Sequence, residues 1–361
     1  HRTGLPAFGI RVASVPGWEP DVLPGYWQRT FELGPDPDGE GELVATLVSR
    51  GHPDDDAAHR ARDAVLVVHG FTDYFFHTEL ADHFAAQGFR VYALDLHKCG
   101  RSHRDGQTPH FTTDLARYDV ELGRALATVA AVSPARVLIY GHSAGGLITS
   151  LWLDRLRRSG ATARAGVAGL VLNSPWLDLQ GHALLRSAPT SAALSALGRL
   201  RKHTVVRRPG TGGYGTTLHR DYDGDFDYNL TWKPIGGFPV KVGWIHAIRR
   251  GQARLHRGLD VGVPNLILRS DRSVREVADP AAIQRGDAVL DVAQIARWAG
   301  CIGNRTTVVP ITDAKHDVFL SVPEARRQAY TELDRWLRWY RTEHRGECTA
   351  SADDDGSDGH G

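Results

Sequence analysis

Gly141-His142-Ser143-Ala144-Gly145-Gly146 sets a serine between two glycines in the spacing G-x-S-x-G. An apolar run, Val137-Leu138-Ile139-Tyr140, precedes it, and Leu147 to Leu153 follows with the look of a helix. A serine on a tight strand-to-helix turn sits in a strained backbone conformation. Its neighbours two residues away must therefore lack bulk, which explains Gly141 and Gly145. The hydroxyl then projects at a sheet edge with a helix N-terminus behind it, the setting of a nucleophilic serine. The plain alternative is a glycine-rich turn whose serine merely caps the helix.

A serine needs a base to become nucleophilic at neutral pH. His316, in Ala314-Lys315-His316-Asp317, follows the last apolar run of the chain and is the candidate. The histidine needs a carboxylate to fix its tautomer and stabilise its protonated form. The chain order Ser, Asp, His leaves two candidates, Asp271 directly after an apolar run and Asp287 just before a helix, with Asp291 behind both. Position alone divides Asp271 and Asp287 evenly. The developing oxyanion needs backbone N–H donors. Ala144, after the serine, supplies one. The other belongs to the loop His69-Gly70-Phe71, where the Phe71 N–H is the natural donor and Gly70 permits close approach.

These residues must be held by a scaffold. Ala64–Val68, Arg90–Asp95, Val137–Tyr140, Gly169–Leu172, Val263–Ser270 and Thr306–Ile311 are short apolar, β-branched runs of the kind found in buried parallel strands. Helical spacing over about 77–87, 113–131, 289–300 and 324–341 alternates with them. Tyr26–Leu33 and Gly41–Arg50 alternate apolar and polar positions across a Pro/Gly turn and read as an antiparallel pair. The fold class is therefore α/β, a mostly parallel twisted sheet with helices on both faces. Every motif above falls at the carboxyl end of a strand, where such sheets bind ligands.

From Trp176 to Gly258 clean periodicity is lost, although 184–200 and 242–255 look helical. This stretch reads as a cap inserted into a core of residues 1–175 and 259–344. Its aromatic residues, Trp176, Tyr214, Tyr228 and Phe238 among them, suggest an apolar pocket. Residues 1–24 read as an irregular arm, 52–63 as a surface loop, and 345–361 as a disordered acidic tail. Asp95 reads as a structural partner of Arg101, His142 as a packed neighbour of the serine, and Lys315 as solvated. Arg249, Arg250 and Arg254 read first as an exposed helix face, and second as a site for a substrate carboxylate or phosphate. The aspartates at 221, 223, 225 and 227 would suit a substrate amine.

The 361 residues are 42% hydrophobic and 24% charged, with a net charge of +1. That balance points away from nucleic acid or a membrane surface as partner. Three widely spaced cysteines form neither a metal nor a disulfide pattern, and the chain reads as cytoplasmic. No apolar run reaches the roughly 18 residues a membrane span needs. The 39 glycines are matched by no methionine at all, for which there is no physical account.

In combination these motifs resemble the monoacylglycerol lipase-like α/β-hydrolases, the group often described as serine aminopeptidase-type or lysophospholipase. The matching pieces are Val67-Val68-His69-Gly70-Phe71, Leu94-Asp95 with Gly100-Arg101-Ser102, Gly141 to Gly146, Asp287-Ala288-Val289-Leu290-Asp291 and Lys315-His316-Asp317. They run in order across most of the chain. The resemblance implies the α/β-hydrolase fold, Ser143 as nucleophile, His316 as base, Phe71 and Ala144 as oxyanion donors, and no cofactor; no metal site is expected either. It also favours Asp287 over Asp271 as the acid. The chain departs from the family in about 15 extra residues before Asp287 and in a longer, more aromatic cap. The expected activity is hydrolysis of a lipophilic or aryl carboxylic ester through an acyl-enzyme. A thioesterase, acyltransferase or aminopeptidase would use the same triad, and a non-catalytic binding protein would use none of it. A dehalogenase or epoxide hydrolase would need Asp where Ser143 stands.

Overall fold

The structure, a computed structural model, describes residues 17–54, 62–132, 136–162, 165–179, 201–210, 212–275 and 279–350. Most of the expected N-terminal arm, the expected helix over 184–200 and the chain beyond 350 lie outside these residues.

In chain order the strands are β1 (Glu19–Pro20), β2 (Tyr26–Pro35), β3 (Glu42–Arg50), β4 (Ala64–Val68), β5 (Arg90–Asp95), β6 (Val137–His142), β7 (Val167–Asn173), β8 (Val205–Arg207), β9 (Val240–Lys241), β10 (Asn265–Ser270) and β11 (Thr306–Ile311). Nine of them form one sheet in the order β1-β2-β3-β5-β4-β6-β7-β10-β11. The pairs from β1 to β3, and β3 with β5, are antiparallel. Every pair from β5 to β11 is parallel. This is the α/β-hydrolase fold.

The central strands are buried on both faces, which is why they read as continuous apolar runs. In β4, Leu66 and Val68 join one core cluster while Val65 and Val67 join the other. The first face is covered by α2 (Asp119–Val132), α3 (Ala144–Arg158), α4 (Val242–Leu255) and α5 (Val292–Trp298), after α1 (Thr78–Ala86) has covered the second. The last helix, α6 (Pro323–Ala350), also packs on the second face through Leu333, Trp336, Leu337 and Tyr340.

Two boundaries differ from the sequence expectation. The helix expected from 113 opens as a 3-10 turn, Leu115–Tyr118, because the Asp114 carboxylate accepts from the Ala116 N–H and caps it there. α6 runs on to Ala350, past residue 345 where a disordered tail was expected. An established helix extends at little cost, and its late turns are anchored by Arg305–Glu343 (2.9 Å) and His344 on the Ala168 carbonyl. Between β7 and β10 the described residues include the antiparallel pair β8-β9, which the sequence did not signal, and α4, which it did. Among the described residues no helix is long and apolar enough to cross a membrane.

Candidate active site

Ser143 lies between β6 and α3 at φ +53°, ψ −119°, in the left-handed region where a non-glycine residue is strained. The packing around it explains the glycines. A Cβ on Gly141 would lie 2.5 Å from Thr149 Oγ1, and one on Gly145 would run into the His69 carbonyl oxygen. Gly70 brings the loop after β4 against the serine itself, since a Cβ there would sit 2.9 Å from Ser143 Cβ.

His316 is buried in the loop after β11, and its Nδ1 lies 2.9 Å from Asp287 Oδ2. Asp287 is fully buried. Its other oxygen, Oδ1, accepts from the backbone N–H groups of Val289 (2.8 Å) and Leu290 (2.7 Å). Asp271 points elsewhere: it pairs with Arg272 (2.9 Å) and accepts from the Asp313 N–H. Asp291 caps α5 by accepting from the Ala293 N–H. Both carboxylates that competed with Asp287 thus serve local structure. Sixteen residues separate β10 from Asp287, and the bridge of Ser273 with Asp287 brings the carboxylate back to the sheet end.

The loop after β4 is fixed from within. His69 Nε2 accepts from the Leu96 N–H at 3.1 Å, so His69 carries its proton on Nδ1, which donates to the Gly70 carbonyl at 2.8 Å. Thr72 adopts φ +51° and is held from above: Lys233 Nζ donates to its carbonyl, and the Phe238 N–H donates to its Oγ1. Lys233 also pairs with buried Asp73 at 3.0 Å. Burial alone would raise the Asp73 pKa, but Lys233 together with the nearby imidazoles of His77, His142 and His69 outweighs it and holds the carboxyl well below its usual range. Phe71 stacks on Trp244 of α4 with ring centroids 5.3 Å apart. Among the described residues neither the Phe71 N–H nor the Ala144 N–H, at the first position of α3, donates to a protein acceptor.

One group of residues was not singled out from the sequence. The Asn173 carbonyl accepts from the Ser143 N–H and from His142 Nδ1, both at 3.0 Å. The Asn173 amide donates to Asp317 Oδ1 at 2.7 Å, and its Oδ1 accepts from the Val318 N–H. His77 Nε2 donates to Asp317 Oδ2 at 3.0 Å. Burial would raise the Asp317 pKa, yet nearby His142 and the His77 hydrogen bond reverse this and keep it ionised. Burial pushes the His142 pKa down to about 4, against the pull of Asp317. Asn173 thereby ties the serine turn to the loop that carries His316. Its partners lie as far as 145 residues away in the chain, so no local pattern could have revealed them.

Several expectations about charged residues are corrected. Lys315 is buried, not solvated, and its Nζ donates to the Thr217 carbonyl at 2.6 Å. Burial pushes its pKa down to about 8. Arg254 is bound to Asp154 (3.0 Å) and to the Gly258 carbonyl, and neither it nor Arg249 or Arg250 lines the cavity over Ser143. Asp95, by contrast, has the structural role expected of it, accepting from the Arg101 side chain and from the Phe75 N–H. His69, Cys99 and His110 bring possible metal-ligating atoms within 4.8 Å of one another. Both nitrogens of His69 are already engaged with backbone and burial raises the Cys99 thiol pKa, so the donor set does not suit a metal.

A cavity of about 160 Å³ unites Ser143, His316 and Phe71. Trp176, Tyr214, Tyr228 and Phe238 line it, as an aromatic pocket would require. The other aromatics of this stretch do not. Tyr222 is exposed, Phe226 and Trp232 pack in a satellite cluster, and Trp244 belongs to the main core.

The fold has known counterparts. A monoglyceride lipase from Saccharomyces cerevisiae, solved as a soluble variant with a substrate analogue, superposes with a TM-score of 0.57 at 15% identity, covering 90% of this chain and 94% of that one. A monoacylglycerol lipase from Paleococcus ferrophilus gives 0.57 at 16% identity over 87% and 99% of the two chains. A thermostable carboxyl esterase from Bacillus coagulans, in complex with glycerol, gives 0.55 at 15% over 87% and 98%. No curated protein sequence matches. The profile of the family described as serine aminopeptidase, S33, matches residues 59–284, a span that holds Ser143 and ends just before Asp287. With well over half of its length matched, the chain belongs to the serine aminopeptidase S33 family of α/β-hydrolases.

Proposed function

We propose that this protein hydrolyses carboxylic esters through Ser143, His316 and Asp287, beneath a cap formed by residues 176–258. The observation that carries this reading is the buried His316–Asp287 pair at 2.9 Å, which opens on the same cavity as the strained serine. Asp287 holds the proton of His316 on Nδ1, leaving Nε2 to take the Ser143 proton. The Ser143 oxygen attacks the ester carbonyl, and the oxyanion accepts from the Phe71 and Ala144 N–H groups. The protonated histidine then gives its proton to the leaving alcohol. Water, deprotonated by His316, attacks the acyl-enzyme and releases the acid and free Ser143.

The lipases and esterase of the same fold favour an ester, and the aromatic walls favour a lipophilic or aryl acyl group. The family's description as aminopeptidases raises an amide of an amino acid as the second reading. Such a substrate carries an ammonium group. The only carboxylate lining the cavity among the described residues is Asp73, already paired with Lys233. Asp221, Asp223, Asp225 and Asp227 do not line it.

The test is labelling by a fluorophosphonate probe, followed by a panel of 4-nitrophenyl esters, monoacylglycerols and aminoacyl amides. Wild type should be labelled and Ser143→Ala should not, with ester turnover lost by about 10⁴-fold or more. An unlabelled Ser143 in folded protein would sink the catalytic reading. Turnover of amides alone would replace the ester by the peptide bond.

A further inference from the structure

The cavity over Ser143 has an uneven charge. Its lining contains three permanent cations, Arg207, Arg208 and Lys233, and one carboxylate, Asp73. Lys233 and Asp73 neutralise each other in a buried pair. Arg207 ends β8 and Arg208 follows it, and both are exposed, which sets them at the mouth. Among the described residues no carboxylate pairs with Arg208. Arginines elsewhere near the site are committed: Arg101 to Asp21 and Asp95, Arg254 to Asp154, and Arg220 to Asp227. The charge of Arg208 at the mouth is therefore not balanced by the walls beneath it, which are largely apolar.

We propose that the cavity selects esters that carry an anionic group, a carboxylate or a phosphate monoester, at the end remote from the scissile bond, with Arg208 as the residue that recognises it and Arg207 beside it. This rests on the ester-hydrolase reading above. A guanidinium presents parallel N–H donors that match the paired oxygens of either anion. Apolar walls keep the intervening path low in dielectric, so the field of the two arginines reaches into the cavity. The same field repels an ammonium group, which sets the preference against aminoacyl substrates. The anion can belong to either side of the ester, on the acyl chain or on the alcohol, and the chemistry of recognition is the same.

The experiment uses two matched pairs of substrates. Mono-4-nitrophenyl adipate against 4-nitrophenyl hexanoate places the charge on the acyl side. 1-Hexanoylglycerol 3-phosphate against 1-hexanoylglycerol places it on the alcohol side. At low salt wild type should favour the charged member of at least one pair by about tenfold in kcat/KM, and added NaCl should shrink the preference. Arg208→Gln, a substitution at an exposed position, should bring the preference close to one, the loss in kcat/KM falling on the charged member. Binding of the same compounds to Ser143→Ala, with and without Arg208→Gln, provides a readout that needs no chemistry. Turnover of the neutral esters with no charge preference in either pair overturns the proposal and leaves the esterase reading standing. So does a preference that survives Arg207→Gln and Arg208→Gln together. Arg208-dependent binding of the anion without turnover sustains the recognition site and removes the esterase.

Discussion

Asp271 and Asp287 carry the same functional group, and the direction of their oxygens separates them. Asp271 spends its oxygens on Arg272 and the Asp313 N–H. Asp287 gives Oδ2 to His316 and closes its own turn with Oδ1. Asp287→Asn puts an amide where the carboxylate accepts a proton bond and should lower kcat by about 10³- to 10⁴-fold. Asp271→Asn should keep ester turnover within about twofold, because a partly exposed ion pair contributes little. Steady-state kinetics on a 4-nitrophenyl ester compares the two directly. Full activity in Asp287→Asn would return the role to Asp271. The choice was hard to read from the sequence for a physical reason. Both aspartates follow a strand in the right order, and only the resemblance of the 287–291 segment to a known pattern favoured one of them. Lys315 illustrates the opposite failure. A lysine in a loop is expected in water, and nothing in its neighbours signals that Thr217 would take its ammonium group into the interior.

The serine turn is a junction of three elements, β6, α3 and the loop after β4, and its glycines measure how tightly they meet. Gly145 is the closest approach, with the His69 carbonyl filling the space a Cβ would need. Gly145→Ala must push α3 away from that loop. The expected result is a loss of about 1–3 kcal/mol of stability, as for other overpacked sites, together with slower fluorophosphonate labelling as Ser143 leaves its position. Chemical denaturation and labelling rate measure the two effects. An alanine variant with unchanged labelling would mean that the turn tolerates the shift. At this scale the sequence was most informative. Strands buried on both faces carry unbroken apolar runs, and the turn glycines stand at their ends, so β4, β5, β6, β7, β10 and β11 are visible in the sequence as parallel strands. The pair β8-β9 was not, because strands of three and two residues have no period to detect.

For the molecule as a whole, stability should respond to alkali through Lys315. Its folded pKa is about 8, below the ordinary 10.5. Between these values the unfolded chain holds a proton that the folded chain has released, so stability rises with pH across the window. Below pH 8 both states are protonated and the cost of burying the charge is present in full. Relative to Lys315→Met, wild type should therefore gain roughly 1–3 kcal/mol between pH 7 and 10. Urea melts of the two proteins at each pH read the difference. A constant difference would mean that the ammonium group stays protonated, held by the Thr217 carbonyl.

The same whole-molecule view gives the contacts above Thr72 a further meaning. Lys233, Phe238 and Trp244 belong to the segment proposed as a cap, yet they grip the loop that carries Phe71. Exchanging this segment for that of a relative would unfasten the loop that carries Phe71, the proposed oxyanion donor, along with the cavity walls. A transplant on this scaffold has to carry those three anchors with it. Variation in the walls between them is where new specificities can be bred without losing turnover.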